Sequence, residues 1–246
     1  NPDRKGVHDA GGLRKNLDEA FASVSFEKLG TVLITLAPEL FAPEALRKLT
    51  ARGAILSAGH SQADAAALTA AKAAGLTGIT HLFNAMGPIN AREPGLAGLA
   101  LGDNDLCCSI IADGAHVAPE MLRLAANAKP PGKLFFVSDA MPPAGQNPPG
   151  DFTLYGKKII TRDGRCLTEE GKLAGAALTL FECVQKAVRD MGISLPQALH
   201  MASLYPARFL KIDKDYGSLA HGKRADFIAF DGGLNLQKVC ASGNLA

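Results

Sequence analysis

His60, in "SAGHS", and His81, in "THLFNAM", each close an apolar run, and they lie 21 positions apart. That is about the length of one helix plus one strand, so the spacing puts both at the ends of neighbouring strands. Neutral imidazoles on adjacent rigid strands can bind a divalent cation such as Zn²⁺, with a third ligand and a water completing the shell. A carboxylate is the expected third ligand. Asp139, in "VSDAM", ends a further apolar run. It is the candidate to take a proton from a cation-bound water and hand it to a leaving group.

Glu39, and Asp113 with His116, stand at two more run ends. Each has a plain alternative: a lone strand-end His is most often a hydrogen-bonded structural residue, and acids at βα turns often cap helices. Delivery of such a residue by all five strand candidates is what raises the case for a site. Asn84 equally fits a turn and Arg92 a solvated loop charge, Met86 and Met141 read as core, and His200 and His221 as structural or surface residues.

The elements that must position these residues repeat. "TVLITLAPE", "GAILSAGH" and "LCCSIIADGAH" are apolar and β-branched, and each precedes a segment of helical period cued by an early Pro or by a cap such as Ser61. "GITHLFNAM" and "KLFFVSDAM" complete five strands, with loops rather than clear helices after them. Repeated βα units predict an α/β chain of parallel strands, and in a (β/α)₈ TIM-like barrel the C-terminal strand ends converge on one mouth. Turn signals at Asp163-Gly164 and Glu170-Gly171 predict a β-hairpin excursion near 151–170. Two amphipathic helices follow, in "TLFECVQKAVRDMG" and "LPQALHMASLYPARFLKI", and then a strand in "GSLAHGKRADFIAFD". The division expected is a catalytic barrel over 1–217 and strands of a small β-domain over 218–246.

Composition narrows the class. In 246 residues, 47% hydrophobic and 20% charged, 26 basic and 24 acidic side chains are interspersed, which leaves no footprint for nucleic acid or a membrane surface. Five cysteines form no CxxC pair and read as reduced residues of a cytoplasmic protein. No apolar stretch approaches the roughly 20 residues of a membrane span, and the N-terminus has neither a signal-peptide core nor an initiator Met.

"SAGHS", "THLFNAM", "REPGLAG", "IIADGAHV", "VSDAM", "LAGAALTL", "ASLYPAR" and "GSLAHGKRADF" occur in an order and spacing that resembles the N-acetylglucosamine-6-phosphate deacetylases of the amidohydrolase superfamily. The resemblance implies a distorted (β/α)₈ barrel with a small β-domain built from both chain ends. It implies an enzyme that hydrolyses the acetamide of N-acetylglucosamine 6-phosphate, using a divalent metal such as Zn²⁺ or Fe²⁺, in cytoplasmic amino-sugar catabolism. By the same likeness His60 and His81 are metal ligands and Asp139 is the catalytic acid/base. His8, Asn84, Ala85, Arg92, His116, Leu173, Ala174 and Gly175 are substrate contacts. Guanidinium suits a phosphate dianion, so Arg92 pairs with His116 there, one of the two acting across a homodimer interface.

The family's carboxylate ligand lies in a "HLEGP"-type motif that these residues lack, and its expected place is upstream of Asn1. A fragment of a longer protein and a natural short form both fit. The competing readings are another amidohydrolase acting on a cyclic amide or amine, and a non-catalytic sugar-phosphate-binding remnant.

Overall fold

Strands β1 (Leu33–Leu36), β2 (Ile55–Ala58), β3 (Leu76–Ile79), β4 (Cys107–Ile111) and β5 (Leu134–Val137) form one parallel sheet in sequence order. The computed structural model describes residues 1–245. Helices α2 (Pro43–Ala51), α3 (Ala65–Ala73), α4 (Gly95–Gly102) and α5 (Pro119–Ala128) return the chain between strands, after a short α1 (Leu17–Phe21). The result is the arc of a (β/α)₈-type barrel. All of β2 and most of β3 to β5 are buried. Strands covered on both faces are near-continuously apolar, which is why these runs lack strict alternation.

Local chemistry sets the boundaries. Pro43 and Pro119 occupy the first turns of α2 and α5, where a missing N–H costs nothing. The cap of α3 is Asp64, whose carboxylate accepts from Ala67 N at 2.8 Å, and not Ser61 as expected. Ser61 instead donates to Glu39 and accepts from Ala63 N. Gly78 in β3 has no room for a Cβ, which would lie 2.5 Å from the Phe209 ring and 2.9 Å from Ser57 Oγ.

Three expectations change. The loop after β3 does lead into a helix, α4, whose sequence "GLAGLALG" has no polar face to mark it. The expected hairpin near 151–170 is part of a four-stranded antiparallel meander reaching Ala176: β6 (Phe152–Leu154), β7 (Lys157–Arg162), β8 (Arg165–Thr168) and β9 (Leu173–Ala176). After α6 (Leu180–Asp190), the second expected helix is two, α7 (Leu195–Ala202) and α8 (Leu204–Phe209), broken at Ser203. Pro206 explains the break, because its ring would clash with the carbonyl of Ala202 in a continuous helix.

The chain ends in a three-stranded antiparallel sheet, β10 (Phe227–Phe230), β11 (Leu236–Ala241) and β12 (Asn244–Leu245). It meets the rest through α6: Phe181 packs on Phe230 with ring centroids 5.3 Å apart, and Gln185 and Arg189 donate to the carbonyls of Leu234 and Gly233. All five cysteines are free thiols, and burial pushes Cys108 and Cys183 up to about 12. Among the described residues no helix is long and apolar enough to cross a membrane.

Candidate active site

The C-terminal ends of β2 to β5 and the inner edge of the meander enclose a cavity of about 530 Å³. Its lining includes His8, His60, His81, Asn84, Ala85, His116, Asp139, Leu173, Ala174 and Gly175. Of the residues that the resemblance marks as metal ligands, acid/base or substrate contacts, only Arg92 stays away: it is exposed on the loop before α4 and does not line the cavity. Met141, expected in the core, is half-buried and forms part of the wall. A second cavity of about 540 Å³ lies beside the start of β5, but its one lysine, Lys129, spends its ammonium on the carbonyls of Ala100 and Asp103.

The cavity collects backbone strain. Ten non-glycine residues among those described have left-handed φ, and five of them, His60, His81, Ala85, Asp139 and Tyr155, line this one space. Such residues persist only where surrounding structure over-determines them, and they gather at functional sites.

Each histidine is held by its second nitrogen or by its backbone. His60 Nδ1 lies 2.7 Å from the carbonyl of Arg4, which can only accept, so Nδ1 carries the proton and the Nε2 lone pair faces the cavity. His81 is fixed through its backbone N, which donates to Ser109 Oγ at 2.7 Å. The two Nε2 atoms stand 3.0 Å apart. Burial holds His60 below its ordinary pKa, and burial with the neighbouring charge of His60 does the same for His81. Both are therefore kept neutral, the form that binds a cation. His81 Nδ1 is buried with no hydrogen-bond partner. Converging neutral nitrogens fit a divalent metal, although no group of three or more His, Cys, Asp or Glu side chains among the described residues is placed to hold one.

Glu39 is not that third ligand. Its carboxylate accepts from Ser61 Oγ at 2.6 Å, Gln62 N at 2.7 Å and Asn1 Nδ2 at 2.9 Å. Burial alone pushes its pKa up, but these bonds outweigh it and the carboxyl sits below its ordinary value. Glu39 thus pins the turn that carries His60.

Asp113 plays a parallel part for His116. One oxygen accepts from the backbone N–H groups of Ala115 and His116, both at 2.8 Å, and the other lies 2.6 Å from His116 Nδ1. Here too burial raises and the bonds lower, with a net depression. The imidazole is oriented so that Nε2 faces Asp139, 3.7 Å from Oδ2. Asp139 is half-exposed toward the cavity. Its carbonyl accepts from Ala176 N at 3.0 Å and Met141 N donates to Ala176 O at 2.8 Å, which ties β9 to the loop that carries Asp139. Gly175 lies in that seam with φ +128°, where a Cβ would meet Met141 Cγ at 2.5 Å. "LAG" therefore reaches the cavity by strand pairing, which spacing alone does not reveal.

In "THLFNAM" the Asn84 amide donates to the carbonyls of His81 and Leu82, and Ser61 N donates to Ala85 O. His8 closes the other side, its ring edge-on to His60 at 5.2 Å and its Nδ1 3.4 Å from Tyr155 Oη. Tyr155 went unmarked in the sequence, where its one signal is an aromatic directly ahead of a glycine.

Comparison with known proteins matches residues 13–245 to the model of the amidohydrolase family. N-acetylgalactosamine-6-phosphate deacetylase of Shewanella sp. (strain ANA-3) is 36% identical over 243 residues, 98% of this chain and 61% of the relative. N-acetylglucosamine-6-phosphate deacetylase of Homo sapiens is 39% identical over 254 residues, 99% of this chain and 61% of the relative. The crystal structure of N-acetylglucosamine-6-phosphate deacetylase from Pasteurella multocida superposes with a TM-score of 0.92 at 34% identity, covering all of this chain and 65% of that one. The chain thus spans 61% of the length of those two curated relatives.

Proposed function

Because this chain belongs to the amidohydrolase family, we propose that the protein hydrolyses the acetamide of N-acetylglucosamine 6-phosphate, giving glucosamine 6-phosphate and acetate in cytoplasmic amino-sugar catabolism. The observation that carries the reading is the convergence on one cavity of every expected site residue except Arg92.

His60 and His81 would hold a divalent metal, Zn²⁺ or Fe²⁺, with a carboxylate from upstream of Asn1 as third ligand. When bound, the metal supplies polarisation of the amide carbonyl and a water of lowered pKa. Asp139 takes a proton from the attacking water, whose oxygen bonds to the carbonyl carbon, and returns it to the amine nitrogen as the C–N bond breaks. His8 faces the carbonyl oxygen as it gains charge. Asn84, Ala85 and the Leu173–Gly175 backbone line the sugar. His116, oriented by Asp113, contributes to the phosphate contact, and Arg92 reaches a phosphate only from a second copy, so a homodimer is part of the proposal.

The test uses the protein as its gene encodes it. Bound metal is counted and acetate release from N-acetylglucosamine 6-phosphate is followed in wild type and Asp139→Asn. About one metal per chain with activity lost in the variant supports the reading. Substrate binding without acetate release sinks it in favour of a sugar-phosphate-binding remnant. The 4-epimer is a second candidate substrate, since curated relatives from Shewanella and Escherichia coli are N-acetylgalactosamine-6-phosphate deacetylases; relative kcat/KM on the two sugars decides between them.

A further inference from the structure

The meander contains two tight turns that serve as controls for one another. Asp163-Gly164 joins β7 to β8 and Tyr155-Gly156 joins β6 to β7, with Arg162 paired to Arg165 and Leu154 paired to Lys157. Both turns have the same backbone, φ +50° then +75°. Left-handed φ at both central positions is what a type I′ hairpin turn requires, and Asp-Gly is among its favoured pairs. Tyrosine is not, because its Cβ is crowded there and it has no short polar group to bond locally.

Packing does not account for the choice. Tyr155 is 57% exposed and joins no core cluster, while its neighbours Phe152 and Leu154 pack on Ile159 and Cys166. What the side chain does reach is the cavity. Its hydroxyl lies 3.4 Å from His8 Nδ1 and its ring centroid 6.2 Å from that of His8. His8 is itself exposed, and within its own segment only its backbone is bonded: its carbonyl accepts from Lys5 Nζ and its N–H donates to the Lys5 carbonyl at 3.2 Å.

We propose that Tyr155 is a positioning residue: the strained hairpin tip carries its hydroxyl to His8 and sets the imidazole at the cavity mouth. The His8 ring engages Tyr155 through Nδ1, and its Nε2 is left for the acetamide. This rests on the deacetylase reading. It assigns function to a residue outside the parallel sheet and explains why a turn otherwise suited to Asn or Asp carries an aromatic. An observed backbone outlier facing a site is the proper starting point for such an inference.

The experiment compares wild type with Tyr155→Asn, Tyr155→Phe and His8→Ala in the gene-encoded protein. Tyr155→Asn creates the preferred Asn-Gly turn and raises Tm. Both Tyr155 variants lower kcat roughly five- to tenfold, the size of one hydrogen bond, with KM changed less than about twofold, as for an interaction felt in the transition state. In the His8→Ala background, Tyr155→Phe has no further effect. A Tyr155→Asn protein less stable than wild type, or unchanged kcat in either variant, overturns the proposal. So does a full additional loss on top of His8→Ala. Wild-type protein that releases no acetate at all sinks the deacetylase reading and this inference with it, whereas active wild type with unaltered variants sinks only the role of Tyr155.

Discussion

Strands β4 and β10 are both short apolar runs, "CCSII" and "FIAF", yet they live in different surroundings. Ile110 and Ile111 of β4 are wholly buried, sealed between two neighbouring strands and the outer helices. Phe227 and Ile228 of β10 are 38% and 37% exposed, and the terminal sheet touches the barrel arc mainly along α6. The same hydrophobic composition therefore gives a rigid platform in one place and a loosely anchored sheet in the other. The cavity is built on the platform, where strand ends cannot drift, and this is what lets His60, His81 and Asp139 hold left-handed backbones.

The largest contrast comes from truncating one isoleucine in each sheet. Ile110→Ala empties a fully packed position and is expected to cost roughly 4 kcal/mol, because lost transfer energy and a residual cavity add. Ile228→Ala, already partly in water, is expected to cost less than about 1 kcal/mol. Urea unfolding of the two variants checks this. Equal losses would mean that the terminal sheet is as buried in solution as the barrel arc, and the comparison would collapse.

A smaller effect tests the polar framework of the platform. Asp113 is buried and satisfies three donors at once, so Asp113→Ala leaves them unpaired and is expected to cost about 3 kcal/mol. Its pH signature has a definite sign. The folded carboxyl titrates below its ordinary value, so the unfolded chain binds more protons in acid. The stabilisation is complete above about pH 4, the ordinary carboxylate range, and is lost as pH falls through the lower folded value. Cys183, the nearby thiol, is pushed up to about 12 by burial and then by the Asp113 charge, so it stays neutral across this window. His116 is the other group facing Asp113. Asp113→Asn should flatten the acid limb of the unfolding midpoint plotted against pH, and an unchanged limb would show that other carboxylates govern it.

The strands of the platform and two turns of the meander, Asp163-Gly164 and Glu170-Gly171, were legible in the sequence, whereas helix α4 and the four-strand extent of the meander were not, for reasons visible at particular residues. The apolar runs ending at His60, His81, Asp113 and Asp139 are strongly patterned and make local βα units, so element type follows from period. Helix α4 has only Gly, Ala and Leu, which leaves no polar face to read. The break at Ser203 depends on one proline inside an otherwise helical pattern. The approach of Gly175 to Asp139 depends on strand pairing between distant segments, and Tyr155 reaches His8 across 147 positions of sequence. Contacts of that range leave no trace in composition or spacing. Arg92 illustrates the converse: the motif marks it, but the fold leaves it on an exposed loop.

The smallest expected effect lies at the seam between the two regions. Gln185 Nε2 donates to Leu234 O at 2.6 Å, one of the few polar bonds that fasten the terminal sheet to α6. Gln185→Ala should cost only about 1 kcal/mol, the net worth of one hydrogen bond. If the sheet opens as a unit of its own, that loss appears in β10 and β11 and nowhere else. Amide exchange should then accelerate about fivefold in Phe227–Phe230 and Leu236–Ala241, while β2 to β5 keep the wild-type rate. Acceleration spread evenly through the parallel sheet would mean that the two regions unfold together, and that the difference in burial between β4 and β10 does not divide the molecule into separately stable parts.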